Sequence, residues 1–116
     1  MRYGIQPRRG DLFFADLSDA GNGAKRGKRP VIVIQNNVGN ANGSSVIAAV
    51  ITSATKRTLP THVALDKRHG LRKPSTATLE DIVTIDKRCL LDYLGTVVNT
   101  EAEKQLDKAI KVSLGL

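Results

Sequence analysis

Two apolar runs set the tightest limit on what this chain can fold into. They are "VIVIQ" (Val31–Gln35) and "VIAAVIT" (Val46–Thr52). β-Branched side chains lose rotamer freedom in a helix and pack well on a pleated surface. A strand with one wet face alternates apolar and polar residues, whereas a strand covered on both faces does not. Each run therefore predicts a strand with protein on both sides. Around them, "DLFFADL" (Asp11–Leu17) reads as a first strand, "HVAL" (His62–Leu65) and Thr76–Leu79 as short ones, and "TVV" (Thr96–Val98) as an edge strand. "NNVGNANGSS" and "DKRHGLRKP" (Asp66–Pro74) read as turns, and "TIDKRCLLDYLG" (Thr84–Gly95) as holding a short helix before Gly95.

The C-terminal segment has the opposite period. Ala102, Leu106, Ala109, Ile110 and Leu114 form one helical stripe. Thr100 and Glu103 have capping-box spacing, and Gly115 stands where a helix stops. The expected fold is a mainly β, α+β domain over residues 1–116, with a terminal helix whose stripe packs on the sheet, on a second subunit, or on both.

Lys and Arg total 18 against 11 Asp and Glu, a net charge of +7. That favours a polyanionic partner, either nucleic acid or an acidic protein segment. Aromatics are 3% of the chain and Trp is absent, so a nucleic-acid site is expected to be electrostatic rather than a stacking platform. The single Cys89 cannot form an internal disulfide, fits a reducing cytosol, and lies among apolar residues as a structural thiol. No apolar run nears the ~20 residues that span a bilayer. "MRYGIQPRRG" lacks the apolar block of a signal peptide, so the expected location is the cytoplasm, away from membranes.

Charge is concentrated in the loop before the first covered strand, "SDAGNGAKRGK" (Ser18–Lys28), which ends at Arg29. Pro30 biases Arg29 toward extended backbone and holds it at a strand mouth. Arg presents a planar fork that matches phosphate oxygens. Thr52 ends the second covered strand, and its hydroxyl can donate to a phosphoryl oxygen. Together they would form an anion site suited to phosphoryl transfer. Loose Arg and Thr spacing has no specificity by itself, and on the residues alone a solvated Arg and an ordinary strand Thr are the favoured explanation. Other chemistry is not supported. "GNGAKRGK" lacks the spacing of a nucleotide-binding P-loop, and no His, Cys or carboxylate cluster has metal-ligand spacing. His62 opens an apolar strand and reads as structural, while His69 in its basic turn reads as exposed.

In order along the chain stand "RGDLFFADL", "GKRPVIVIQNN", "VIAAVIT", "LPTHV", "STATLEDIVTIDKRCL" and "SLGL". In this combination the chain resembles the MazF/PemK family of bacterial toxin endoribonucleases. The resemblance implies an SH3-like small β-barrel with a C-terminal helix, shared with CcdB-like toxins, and a homodimer. It implies metal-independent cleavage of single-stranded RNA, with no cofactor. It assigns the catalytic pair to Arg29 and Thr52, with Glu80 as a carboxylate that some members use. Lys25, Arg26, Lys28, Lys56, Arg57 and Ser75 would line the RNA path. Asp81, where several relatives carry Gln, would lie near the base-reading surface. The implied partner is a MazE-like antitoxin with an acidic, disordered segment. Relatives commonly read G-x-E-Q where this chain has "GAKRG", so Ala24 and Lys25 replace an acidic and an amide residue. The alternatives are a non-catalytic, CcdB-like gyrase-binding toxin and an RNA-binding domain that has lost cleavage.

Overall fold

The structure is a computed structural model, and it describes residues 6–18 and 27–116. Six strands and two helices follow in the order β1 (Asp11–Asp16), β2 (Lys28–Val33), α1 (Asn37–Asn42), β3 (Ser45–Ser53), β4 (His62–Leu65), β5 (Ser75–Asp86), β6 (Leu90–Thr96) and α2 (Glu101–Leu114). The strands form one antiparallel sheet in the order β4-β5-β3-β2-β1-β6. The sheet curls into a half-barrel.

Both covered strands occur as the sequence indicates. Alternate residues of β2 and β3 enter two separate cores. Ile32, Ile34, Ala49 and Ile51 join the cluster under α2, which includes Leu65, Ala77, Leu79 and Leu106. Val31, Val33, Val46, Ala48 and Val50 join Phe13, Leu17, Val83, Ile85 and Leu90 on the other face. The stripe of α2 is buried through Ala102, Leu106 and Ala109 against β4 and β5. Burying Leu106 contributes about 1.5–3 kcal/mol.

β5 serves both cores because its register jumps. Thr78 stands opposite Val50, but Ile82 stands opposite Ala49, so Leu79, Glu80 and Asp81 form a bulge. An odd number of extra residues reverses which face each later side chain meets. Ala77 and Leu79 accordingly lie under α2, while Val83 and Ile85 lie in the second core. The Ser113 hydroxyl donates to the Leu79 carbonyl at 2.5 Å and ties α2 to this bulge.

Several local expectations are corrected. The segment "NNVGNANGSS" holds the short helix α1, because the Asn36 side chain accepts the Gly39 N–H at its start and the buried Asn40 amide donates to the Gln35 carbonyl. Residues 84–95 form no α-helix before Gly95. They complete β5, make a single 3-10 turn at Lys87–Cys89, and then form β6. The strand read at Thr76–Leu79 lies near the start of a 12-residue one. The helix α2 starts at the expected place, but Thr100 and Glu103 form no box. The Thr100 hydroxyl donates back to the Val97 carbonyl, and Glu103 accepts from the Asn99 N–H. Gly115 does close the helix, at φ +72°. His69 is buried rather than exposed, and its Nδ1 accepts the Asp66 N–H in the 3-10 turn Lys67–His69.

Candidate active site at the strand ends

The register of the sheet builds a row across five strands whose three central members are polar. Ala15 pairs with Arg29. The β2–β3 pairing ends at Val31 opposite Val50, and Arg29 and Thr52 each lie two residues beyond that pair on its own strand. Thr52 pairs with Thr76, and Thr76 with Ala64. Directly opposed residues project from the same face, so Arg29 and Thr52 are neighbours although 23 residues separate them in sequence. Both line a small cleft of 190 Å³ with Lys28, Pro30, Ile51, Ser53, Lys73 and Ser75.

The electrostatics of this cleft are one-sided. Arg29, Lys28 and Lys73 contribute three cations, and among the described residues no carboxylate lies within ion-pair distance of any of them. Asp16, opposite Lys28, is held below the usual carboxylate range chiefly by the Ser18 hydroxyl and N–H, with Lys28 a minor cause. Arg68 and Arg88 are arranged differently. Each is locked to an aspartate two residues back, Asp66 and Asp86, at 2.9 Å, and each of those carboxyls is lowered to about 2, first by the side-chain bond from its Arg. The Thr52 hydroxyl donates to the Ser53 carbonyl at 3.1 Å and must turn to reach a ligand. Ser75 is buried and donates to the Lys73 carbonyl, which fixes the backbone that carries the third cation.

The other candidate residues lie elsewhere. Glu80 sits in the β5 bulge, four residues from Thr76, or ~13 Å of extended chain. Its carboxylate accepts from the Thr61 hydroxyl at 2.7 Å and meets His62 Nε2 at 3.0 Å. Burial raises its pKa, but the Thr61 hydroxyl, its own backbone N–H and His62 together outweigh that and lower it overall. Because His62 Nδ1 accepts the Leu59 N–H, Nε2 carries the proton donated to Glu80. The structural reading of His62 fits its side chain, which is 8% exposed. Asp81 is half-buried beside Glu80 in the bulge. Lys56 and Arg57 are exposed on the loop 54–61 and do not line the cleft. Lys25 and Arg26, like Ala24, lie outside the described residues. Lys73 was not singled out by the sequence. It belongs to a basic turn, and only the β3–β5 pairing brings it beside Arg29.

Comparison with known proteins decides the family. Residues 8–114 match the family described as PemK-like, MazF-like toxins of type II toxin–antitoxin systems. The chain belongs to that family. Among the relatives of this MazF-like toxin is the endoribonuclease EndoA of Bacillus subtilis (strain 168), 42% identical over 111 residues, or 94% of this chain and 95% of the relative. A mycobacterial endoribonuclease solved in complex with its cognate antitoxin superposes with a TM-score of 0.79 at 31% identity, covering 95% of the toxin and 96% of that chain. MazF from Deinococcus radiodurans matches the fold, with a TM-score of 0.77 at 18% identity over 97% of this chain and 99% of its own. The barrel-with-helix architecture implied by the sequence motifs is therefore the family fold. Among the described residues of the toxin, no helix is long and apolar enough to cross a membrane.

Proposed function

We infer that the chain acts as an endoribonuclease toxin, cutting single-stranded RNA without a metal and arresting growth through loss of mRNA. The observation that carries this reading is the Arg29–Thr52 pair, set on adjacent strand ends in a cleft with three cations and, among the described residues, no ion-paired carboxylate. The reading is supported by the name of the 42% identical relative, an endoribonuclease.

RNA carries its own nucleophile. The 2′-hydroxyl gives its proton to solvent water and its oxygen bonds to the adjacent phosphorus, the P–O5′ bond breaks, and O5′ takes a proton from water, so the products are a 2′,3′-cyclic phosphate and a 5′-hydroxyl. The charge that builds on the phosphorane oxygens needs fixed donors, and preorganised donors of this kind lower barriers most. Arg29 supplies a fork for two of those oxygens, and Thr52 donates a hydrogen bond once it turns from Ser53. A guanidinium, with a pKa above ~12, acts as a clamp and not as a proton carrier. Lys28 and Lys73 hold flanking phosphates, which positions the strand without reading bases. Glu80, bound to Thr61 and His62, serves to hold the loop 54–61 against β5, and Lys56 and Arg57 meet RNA from that loop. Asp81 accepts from an exocyclic amine of the recognised sequence.

The toxin works as a homodimer in the cytoplasm. Its antitoxin covers the same cationic cleft with an acidic segment that orders on binding, in keeping with the antitoxin complex of its mycobacterial relative. The deciding experiment is incubation of the purified protein with a long RNA in EDTA, followed by mapping of the ends. Discrete cuts with cyclic-phosphate and 5′-hydroxyl ends are expected. Intact RNA with inhibition of DNA gyrase would overturn the reading in favour of a gyrase-binding toxin. Intact RNA that is nonetheless bound would overturn it in favour of a non-cleaving RNA-binding domain.

A further inference from the structure

Beside the Arg29–Thr52 cleft lies a larger hollow of 460 Å³, and the two share Pro30, Lys73 and Ser75 as a common wall. Its apolar lining is Phe14, Pro30, Leu71 and Leu94, its cations are Arg72 and Lys73, and the Asp92 carboxylate also lines it. The register sets the order of this lining. Phe14 on β1 stands directly between Pro30 on β2 and Asp92 on β6. Two ring side chains thus lie side by side across adjacent strands. The opposite wall is held by a backbone crossing. Gly70 takes φ +99°, and a Cβ there would land on the Leu94 carbonyl oxygen, while a Cβ on Gly95 would land on the His69 carbonyl. With no side chain at either position, the turn that carries Leu71 can press onto β6 at Leu94. The hollow is therefore preformed by strand pairing and backbone contact.

We propose that this hollow is a nucleobase subsite, which takes the base of a nucleotide next to the scissile phosphate while that phosphate rests on Arg29. The proposal rests on the ribonuclease reading and adds a specificity element to it. A base is a flat ring with apolar faces and a polar edge. The Phe14–Pro30 surface matches the ring, and Arg72 and Lys73 match the phosphate that follows. The wall shared with the cleft requires the two bound groups to be close neighbours, as a base and its phosphate are on one strand. Base–aromatic stacking is strong enough for one ring to matter. The composition pointed to a purely electrostatic site, but a single Phe placed here is sufficient for one base.

The test uses the full chain and an oligoribonucleotide spanning a mapped cut site. Phe14→Leu keeps apolar volume and removes the aromatic face, and its folding is checked by thermal melting. The expected result is a KM about tenfold higher with kcat retained. Replacing one base beside the cut by an abasic ribose should impose a similar penalty on the wild type and none on Phe14→Leu, because the two changes remove the same contact. If the wild type cuts RNA while Phe14→Leu cuts equally well, or if the two penalties multiply at every position, the subsite is overturned and the ribonuclease stands. If the wild type leaves RNA intact, both fall. An unchanged KM together with weaker binding of an acidic antitoxin peptide would assign the hollow to the protein partner and overturn the proposal.

Discussion

The sheet carries two polar clusters that look alike in sequence and differ in what their partners leave available. At the strand ends, Arg29, Lys28 and Lys73 face a cleft, and among the described residues no carboxylate is within ion-pair distance. At the β5 bulge, Glu80 is bonded to Thr61 and His62, and His62 in turn accepts from the Leu59 N–H. Among the described residues, the first cluster keeps its cations out of ion pairs. The second has used its donors and acceptors to tie a loop to a strand. Elsewhere the chain pairs its cations when they are structural, as Arg68 with Asp66 and Arg88 with Asp86 show. Among the described residues other cations, such as Arg57 and Lys111, also make no ion pair, but Arg29, Lys28 and Lys73 are three that converge on one cleft.

The comparison breaks most readily at Arg29. Arg29→Ala should lower the cleavage rate by at least ~100-fold, as for loss of an oxyanion-type donor, while stability changes by less than about 0.5 kcal/mol because, among the described residues, no ion-pair partner is lost. Single-turnover cleavage and a urea melt measure the two effects. Arg29→Lys should recover only part of the rate, since an ammonium lacks the fork. A fully active Arg29→Ala would erase the distinction between the clusters. Next in size is Thr52→Val, which keeps shape and removes one hydroxyl donor. It should cost about tenfold in rate, equal to roughly 1.4 kcal/mol, and wild-type rates would reduce Thr52 to an ordinary strand residue.

The parts of this molecule that rest on local chemistry were legible in its sequence. Val31–Ile34 and Val46–Ile51 announced two covered strands because apolar residues occupied both faces. Gly115 and the stripe of α2 located the last helix. Arg29 beside Pro30, and Thr52 at the end of an apolar run, could be placed at strand mouths. The parts that depend on pairing could not be read. β6 has no clear period because it follows β1 through two register shifts, which leave Asp92 and Tyr93 exposed. The capping box failed because Asn99, at φ +65°, turns its own N–H toward Glu103. Lys73 and Phe14 carried no signal of a site, since only the sheet order brings them near Arg29. Glu80 was a candidate through family resemblance, and only the β3–β5 register shows that it lies four residues beyond Thr76, the partner of Thr52.

The smallest effects belong to the bulge cluster, and they sharpen the contrast through pH. Glu80→Gln keeps shape and removes the charge. It should leave cleavage within a few-fold of wild type and cost less than about 1 kcal/mol, because the carboxylate is 46% exposed and solvent screens it. Limited proteolysis should then cut the loop 54–61 faster. The Glu80 carboxyl is lowered in the folded state relative to its ordinary 4.5. A lowered acid binds fewer protons when folded than when unfolded, so its contribution is complete above 4.5 and is lost as pH falls through the folded value. Melting curves of wild type and Glu80→Gln should therefore differ by a constant amount at neutral pH and converge once the pH drops below 4.5. The carboxylates of Asp66 and Asp86, lowered to about 2, titrate in both proteins and cancel in the difference. If the gap persisted undiminished into acid, the Glu80 charge would not be what holds the loop. If Glu80→Gln instead lost as much rate as Arg29→Ala with its melting curve unchanged, the bulge carboxylate would belong with the reacting groups, and the division between the two clusters would fail.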